Sequence, residues 1–278
     1  MQSAKAIKQD GQVFTPPATV NLMLDICGYD FPARILQKHI MENSCGEGAF
    51  LCEIVRRYCA AFLQTNKDKD RLKSELETYV HGIEVNKESH ANCLSELSKT
   101  AEAFGIANVH WDIRNADALE CETFDASMDY VVGNPPYVRV HNLSERYDGV
   151  KKLSFTLSGM TDLYLAFFEK SFQMLKPDGR LCYITPSSWL NSFGRQLHKP
   201  RKFPYRRTER SYFVRVRAER DFEGKKSSFG KILSAFIARE MKIGFCRCFS
   251  TSSKARYSFP TKTKGETRIA ASSSHNLL

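Results

Sequence analysis

The segment Val132-Gly133-Asn134-Pro135-Pro136-Tyr137 closes an apolar run with an amide, two prolines and a phenol, a combination that makes poor core. The Asn side-chain oxygen and the Pro135 carbonyl are hydrogen-bond acceptors, and the Tyr137 ring is a stacking surface. Proline fixes φ, so Pro135 and Pro136 hold these groups stiffly side by side at the mouth of a strand. A Pro-rich surface loop would need the same residues, but its place directly after an apolar strand argues against that reading. A second group is Gly46-Glu47-Gly48, between a strand and a helix. A G-x-G alone is equally an ordinary tight turn; here the next strand ends in Glu84, and Asp117 follows a third. A carboxylate at a strand end can accept two hydrogen bonds from a ribose diol. Together these positions suit a nucleoside-bearing cofactor lying across the strand ends, with the backbone approaching at the glycines.

Such groups need strands and helices to hold them. Extended "VFTPP" precedes a helix over 18–27 carrying Val20, Leu24 and Cys27, with Pro16-Pro17 as a rigid entry. "HIMEN" (39–43) reads as a strand, the glycines break it, and Phe50, Leu51, Ile54, Val55, Tyr58 and Phe62 recur at helical period. "TYVHGIEV" (78–85) is a strand, followed by a helix over 87–104 with Leu94, Leu97 and Ala101 on one face. Residues 108–113 form a third strand and "MDYVVG" a fourth. A helix over 162–175, capped by Thr161, is stopped by "KPDG", and "RLCYIT" is a fifth strand. Alternation of strand and helix predicts an α/β, doubly wound, mostly parallel Rossmann-like sheet with its ligands at the carboxyl ends. "QTNKDKDRLKSE" reads as a solvated insertion.

The chain has 278 residues, 42% of them hydrophobic, and no apolar run near the roughly 18 residues that a spanning helix needs. The N-terminus lacks an apolar signal core, so a cytoplasmic location without membrane contact is expected. Nine scattered cysteines, with only Cys246 and Cys248 close together, read as buried reduced thiols and imply no metal site. Charge divides the chain: residues 1–194 carry 20 Lys and Arg against 25 Asp and Glu (net −5), and residues 195–278 carry 21 against 6 (net +15). A catalytic domain over 1–194 is therefore expected to be followed by a basic, irregular tail over 195–278.

"GQVFTPP" (11–17), "ENSCGEGAFL" (42–51), "GIEVN" (82–86), "NADAL" (115–119) and "NPPY" (134–137), in this order, resemble the gamma-class S-adenosylmethionine-dependent N6-adenine DNA methyltransferases of restriction-modification systems. The resemblance covers roughly residues 10–194. It implies that Phe14, Thr15 and Pro16 close over the methionine end of S-adenosylmethionine and that Glu42 addresses its ammonium. Cys45, Gly46 and Gly48 let the backbone approach, Glu84 holds the ribose hydroxyls, Val85 lies beside the adenine ring, and Asp117 and Ala118 read its edge. An adenine amino nitrogen is a poor nucleophile because its lone pair is delocalised into the ring. Asn134 and Pro135 would pull on its two hydrogens and favour a tetrahedral nitrogen, with Pro136 stiffening the loop and Tyr137 stacking on the base once it has left the duplex. No general base is needed for the attack, because the sulfonium already activates the methyl group.

Double-stranded DNA is the partner the resemblance implies, with a restriction endonuclease or a separate specificity subunit beside it. The same NPPY chemistry serves methyltransferases of protein glutamine and of RNA bases, so that alternative stays open, as does a non-catalytic basic nucleic-acid binder. Beyond "TPSSWLNSFG" the family pattern stops. No closing strands and no recognition domain are expected in 195–278, so the sheet is expected to be incomplete on that side. The chain reads as truncated or frameshifted after about residue 194, with impaired activity.

Overall fold

The structure, a computed structural model, describes residues 15–137, 163–186, 211–217 and 232–238, the last two segments and residues 185–186 by their backbone alone. The described elements are, in order, α1 (Pro17–Cys27), the single turn α2 (Pro32–Ile35), β1 (Ile40–Glu42), α3 (Ala49–Thr65), α4 (Lys69–Tyr79), β2 (Val80–Glu84) and α5 (Lys87–Glu102). They continue with β3 (Asp112–Asn115), β4 (Met128–Gly133), α6 (Leu163–Met174), β5 (Leu175–Pro186), β6 (Ser211–Arg217) and β7 (Ile232–Ala238).

One sheet runs in the order β3-β2-β1-β4-β5-β7-β6. β1 to β5 are parallel, with Glu42 opposite Gly82, Glu84 opposite Asn115 and Gly133 opposite Tyr183. β7 lies antiparallel to β5, and β6 antiparallel to β7. The sheet is thus not left open after β5, which corrects the expectation of a sheet incomplete at its C-terminal side. The missed strands have a sequence signature: "ILSAFIA" is a short apolar run and "SYFVRVR" is rich in aromatic and β-branched residues, but both sit in Arg- and Lys-rich surroundings that hide so short a signal.

Successive strand residues face opposite sides of a sheet, and the two cores follow that parity. Ile40, Tyr130, Val132, Cys182 and Ile184 pack with α1, α3, α4 and α5 on one face. Met41, Val131, Leu181 and Tyr183 pack with α6 and the 118–128 segment on the other. The expected stripe of α3 is buried throughout, from Phe50 to Phe62. The described cysteines are free thiols, and all but the half-buried Cys121 are buried.

Three local expectations need revision. The stretch read as a solvated insertion, residues 64–75, holds the first part of α4: Asp68 caps it by accepting from the Arg71 N–H at 3.0 Å, and Leu72 and, just past the stretch, Leu76 are fully buried. "KPDG" does not separate helix from strand but lies within β5. There the register jumps from Met128 opposite Leu175 to Tyr130 opposite Arg180, so the extra residues form a bulge. The third strand is Asp112–Asn115 rather than 108–113; Asn108 has φ 56°, which ends any extended run there. Thr161, the expected cap of α6, lies outside the described residues.

Candidate functional site

The carboxyl end of β1 delivers Glu42, and the chain then turns through Gly46 (φ 52°) and Gly48 (φ 87°) into α3. The two glycines serve different purposes. A Cβ at Gly48 would stand 2.8 Å from the Cys93 sulfur, so a bare Cα lets α3 start against α5. At Gly46 a Cβ would meet nothing within 4 Å, so the backbone faces open space. Glu84, 7% exposed at the end of β2, accepts the Gly46 N–H on Oε2 and the Asn86 N–H on Oε1, each at 2.8 Å. The carboxylate thereby fixes the turn.

Val85 beside it is 63% exposed, just past the end of β2. Asp117 follows β3, with Oδ1 accepting the Leu119 N–H at 2.9 Å; burial raises its carboxyl above the usual range. Ala118, like Leu119 after it, is buried in the core under α6. Cys45 donates its N–H to Ile83 O at 3.0 Å, and its sulfur lies 3.9 Å from that of Cys93. That thiol contact, with burial, pushes the Cys45 thiol well up, so it is a protonated packing group rather than a nucleophile.

Glu42 is the most demanding residue of the group. It is 3% exposed, its Oε2 has no hydrogen-bond partner among the described residues, and burial, with Cys93 and Glu84 nearby, holds its carboxyl well above the usual range. A buried carboxyl oxygen without a donor is costly unless a cation or donor arrives. The orphaned oxygen, the open space at Gly46 and the exposed Val85 fit a nucleoside carrying an ammonium group.

The second half of the site begins where β4 ends. Gly133 lies beside Glu42 and Tyr183: a Cβ there would lie 3.5 Å from Glu42 Cγ and 3.7 Å from Tyr183 Cε1, in ordinary contact with both. Asn134 follows, half-buried, with Nδ2 donating to Thr15 Oγ1 at 3.2 Å. Thr15 is 4% exposed, and Pro16 precedes α1 in extended conformation, so the TPP segment meets the NPP segment 119 residues further on. Phe14 lies outside the described residues. Pro135 is buried and Pro136 half-buried.

Tyr137 is turned inward. Its hydroxyl reaches Asn134 Oδ1 and, at 2.8 Å, the Ile184 carbonyl, and its ring meets Tyr164 edge-on at 6.3 Å. A phenol has one proton, so it serves one of these acceptors at a time. Burial raises its pKa well above the usual phenol value.

Sequence reasoning missed the residue that ties the halves of this arrangement to one scaffold. Arg57 of α3 donates to Asp25 Oδ1 at 2.7 Å, to Tyr29 O at 2.9 Å and to Asn21 Oδ1 at 2.8 Å, and its Nε meets Glu53 at 3.1 Å. It anchors α1, which follows Thr15 and Pro16, to the helix that follows the glycine turn. A single arginine within a helical pattern gives no signal of this in the sequence.

With the geometry established, the chain can be compared with known proteins. Residues 21–222 match the model of the Eco57I restriction-modification methylase family. The chain belongs to that family. Among curated relatives of the chain are Type II methyltransferase M.BstVI of Geobacillus stearothermophilus, 28% identical over 84% of this chain and 43% of that protein, and M.XhoI of Xanthomonas vasicola, 32% identical over 67% and 36%. The chain thus spans less than half the length of these relatives. Among solved structures, the DrdV–DNA complex superposes with TM-score 0.61 at 15% identity, over 86% of this chain and 27% of that one. The EcoKI M protein superposes with TM-score 0.56 at 16% identity, over 85% and 47%. Both likenesses are of fold. The family match crosses residue 194 and takes in β6, in agreement with the sheet order.

Proposed function

We propose that this chain carries an S-adenosylmethionine-dependent DNA methyltransferase site that acts on the exocyclic N6 of adenine. Asn134 follows Gly133 at the end of β4, and Gly133 lies beside Glu42, whose buried Oε2 has no hydrogen-bond partner among the described residues. This juxtaposition of an acceptor pair with a cation site carries the reading, and the names of its restriction-modification relatives support it. The relatives' greater length leaves room in such proteins for further parts. In this reading the domain over 1–194 supplies the chemistry, and the basic residues of 195–278 supply phosphate contacts.

When bound, S-adenosylmethionine supplies an activated methyl group. Glu42 pairs with its ammonium, Glu84 accepts from the ribose hydroxyls while still holding the Gly46 turn, Val85 flanks the adenine, and Asp117 with the backbone at Ala118 meets its edge. Thr15 and Pro16 cover the methionine end, with Phe14 before them. On the substrate side Asn134 Oδ1 and the Pro135 carbonyl accept the two hydrogens of the target amine and free its lone pair. The Tyr137 hydroxyl leaves Asn134 Oδ1 as the base enters, and its ring then stacks on the flipped base, a contact of about 1–3 kcal/mol. Double-stranded DNA is the substrate, a restriction endonuclease or specificity subunit the partner, and the cytoplasm the location.

Incubation of the chain with tritium-labelled cofactor and DNA, followed by hydrolysis of the DNA, is expected to place label in N6-methyladenine. Asn134→Ala should cut turnover by about 100-fold or more while cofactor affinity stays within about twofold. Equal turnover of the two proteins would overturn the assignment of Asn134. Label recovered in protein glutamine or in RNA would replace adenine as the substrate.

A further inference from the structure

Below the site, on the face covered by α6, lie three buried polar residues that none of the roles above uses. Asn43 (1% exposed) follows Glu42, Ser171 (0%) lies on α6, and Tyr183 (0%) lies on β5. Asn43 Nδ2 donates to Ser171 Oγ at 3.0 Å, the Ser171 and Tyr183 hydroxyls are hydrogen-bonded, and the Tyr183 hydroxyl donates to Asn43 Oδ1. The protons close into a ring: amide to serine, serine to tyrosine, tyrosine back to the amide oxygen. Each of these three acceptors receives one donor, so a fully buried polar cluster is internally satisfied and has one defined direction.

The ring holds the backbone at the exit of β1 from three elements at once. Asn43 is the first residue after β1, so anchoring its side chain to Ser171 and Tyr183 constrains the backbone from which its neighbour Glu42 projects. Tyr183 makes the link tighter, since its ring edge and the Glu42 side chain pack on the same Gly133, 3.7 Å and 3.5 Å from where a Cβ would stand. We propose that the Asn43–Ser171–Tyr183 ring positions Glu42 to receive the amino-acid end of the cofactor, making Tyr183 and Ser171 positioning residues. They determine how strongly the site prefers a nucleoside with a methionine tail over one without it. This rests on the proposed cofactor reading of the same site and adds residues to it on the far side of the sheet.

The ring is broken with least change of shape by Tyr183→Phe, which removes one hydroxyl, and independently by Ser171→Ala at another corner. The full chain and both variants would be titrated calorimetrically with S-adenosylmethionine and with 5′-methylthioadenosine, which lacks the amino-acid tail; circular dichroism would verify folding. The expected result is that each folded variant binds S-adenosylmethionine about tenfold more weakly while methylthioadenosine binding changes by less than about twofold. A general loosening of the fold would weaken both ligands alike. Equal losses on the two ligands, or no loss on either, in whichever variant folds would overturn the proposal while leaving the cofactor reading intact. Failure of the unaltered chain to bind either ligand would overturn the cofactor reading and the proposal with it.

Discussion

At the amino ends of the strands the chain pairs its own charges. His39 Nδ1 lies 2.9 Å from His81 Nε2, His81 Nδ1 lies 2.7 Å from Asp112 Oδ2, and Asp129 Oδ2 accepts from the His39 N–H at 3.0 Å and from Lys176 at 2.7 Å. At the carboxyl ends the chain leaves groups waiting: Glu42 Oε2 has no partner among the described residues, the backbone at Gly46 faces open space, and Val85 is 63% exposed. Both ends are made by the same five parallel strands. Polar groups that the chain satisfies itself hold strands in register, and those it leaves unsatisfied or uncovered mark where a ligand belongs.

The two glycines of the turn should separate fold from site with the largest effect. Gly48→Ala places a Cβ 2.8 Å from the Cys93 sulfur at φ 87°, and is expected to destabilise the chain by about 2–4 kcal/mol in urea unfolding. Gly46→Ala, at φ 52° with no neighbour within 4 Å, should cost only about 1 kcal/mol of stability, yet it fills space reserved for the cofactor and should weaken its binding. Equal destabilisation by the two would break the distinction between packing glycine and ligand glycine.

Glu42→Gln should act in the opposite direction on the fold. Because the Glu42 carboxyl is raised in the folded chain, the folded state binds more protons than the unfolded one, and stability falls as pH rises above the ordinary value of 4.5. The neutral amide removes that cost. The cofactor-free variant is expected to be more stable at pH 7, by about 1 kcal/mol or more, while losing affinity for S-adenosylmethionine. A less stable variant would mean that the carboxylate already has its partner within the chain.

The smallest effect belongs to the amino ends. Burial, with His81 and Lys176 nearby, lowers the His39 pKa, so the unfolded state takes up a proton more readily. The stability His39 contributes as a neutral ring is present above 6.5 and is lost as pH falls through that value. Asp112, lowered mainly by its hydrogen bond to His81, keeps its contribution until the pH falls below 3.8. Thermal melts from pH 8 to 5 should therefore show a modest decline near 6.5 that His39→Gln reduces.

Much of this was legible in the sequence because the residues are local. The glycine turn, the α3 stripe and the strand "MDYVVG" carry their own punctuation, and Glu84 ends its own strand. What was not legible depends on partners far along the chain. Tyr137 reads as a surface ring until Ile184 and Asn134 are seen to take its hydroxyl, and Asn43 reads as the last residue of a strand until Ser171 and Tyr183 meet it beyond the end of β1. α4 was missed although its signals are local, because a charged composition outweighed the Leu72–Leu76 pair. β6 and β7 were lost to the same bias, in which a signal of seven residues is drowned by the basic sequence around it.

The central claim is that the carboxyl ends of β1 and β2 form a cofactor site whose turn is held by Glu84. Titration calorimetry of S-adenosylmethionine into the chain and into its Glu84→Ala variant tests it most directly. The account predicts binding by the unaltered chain, weakened about tenfold or more in the variant, where both the ribose acceptor and the Gly46 anchor are gone. Undiminished affinity in the variant, or no binding by the unaltered chain, would contradict it.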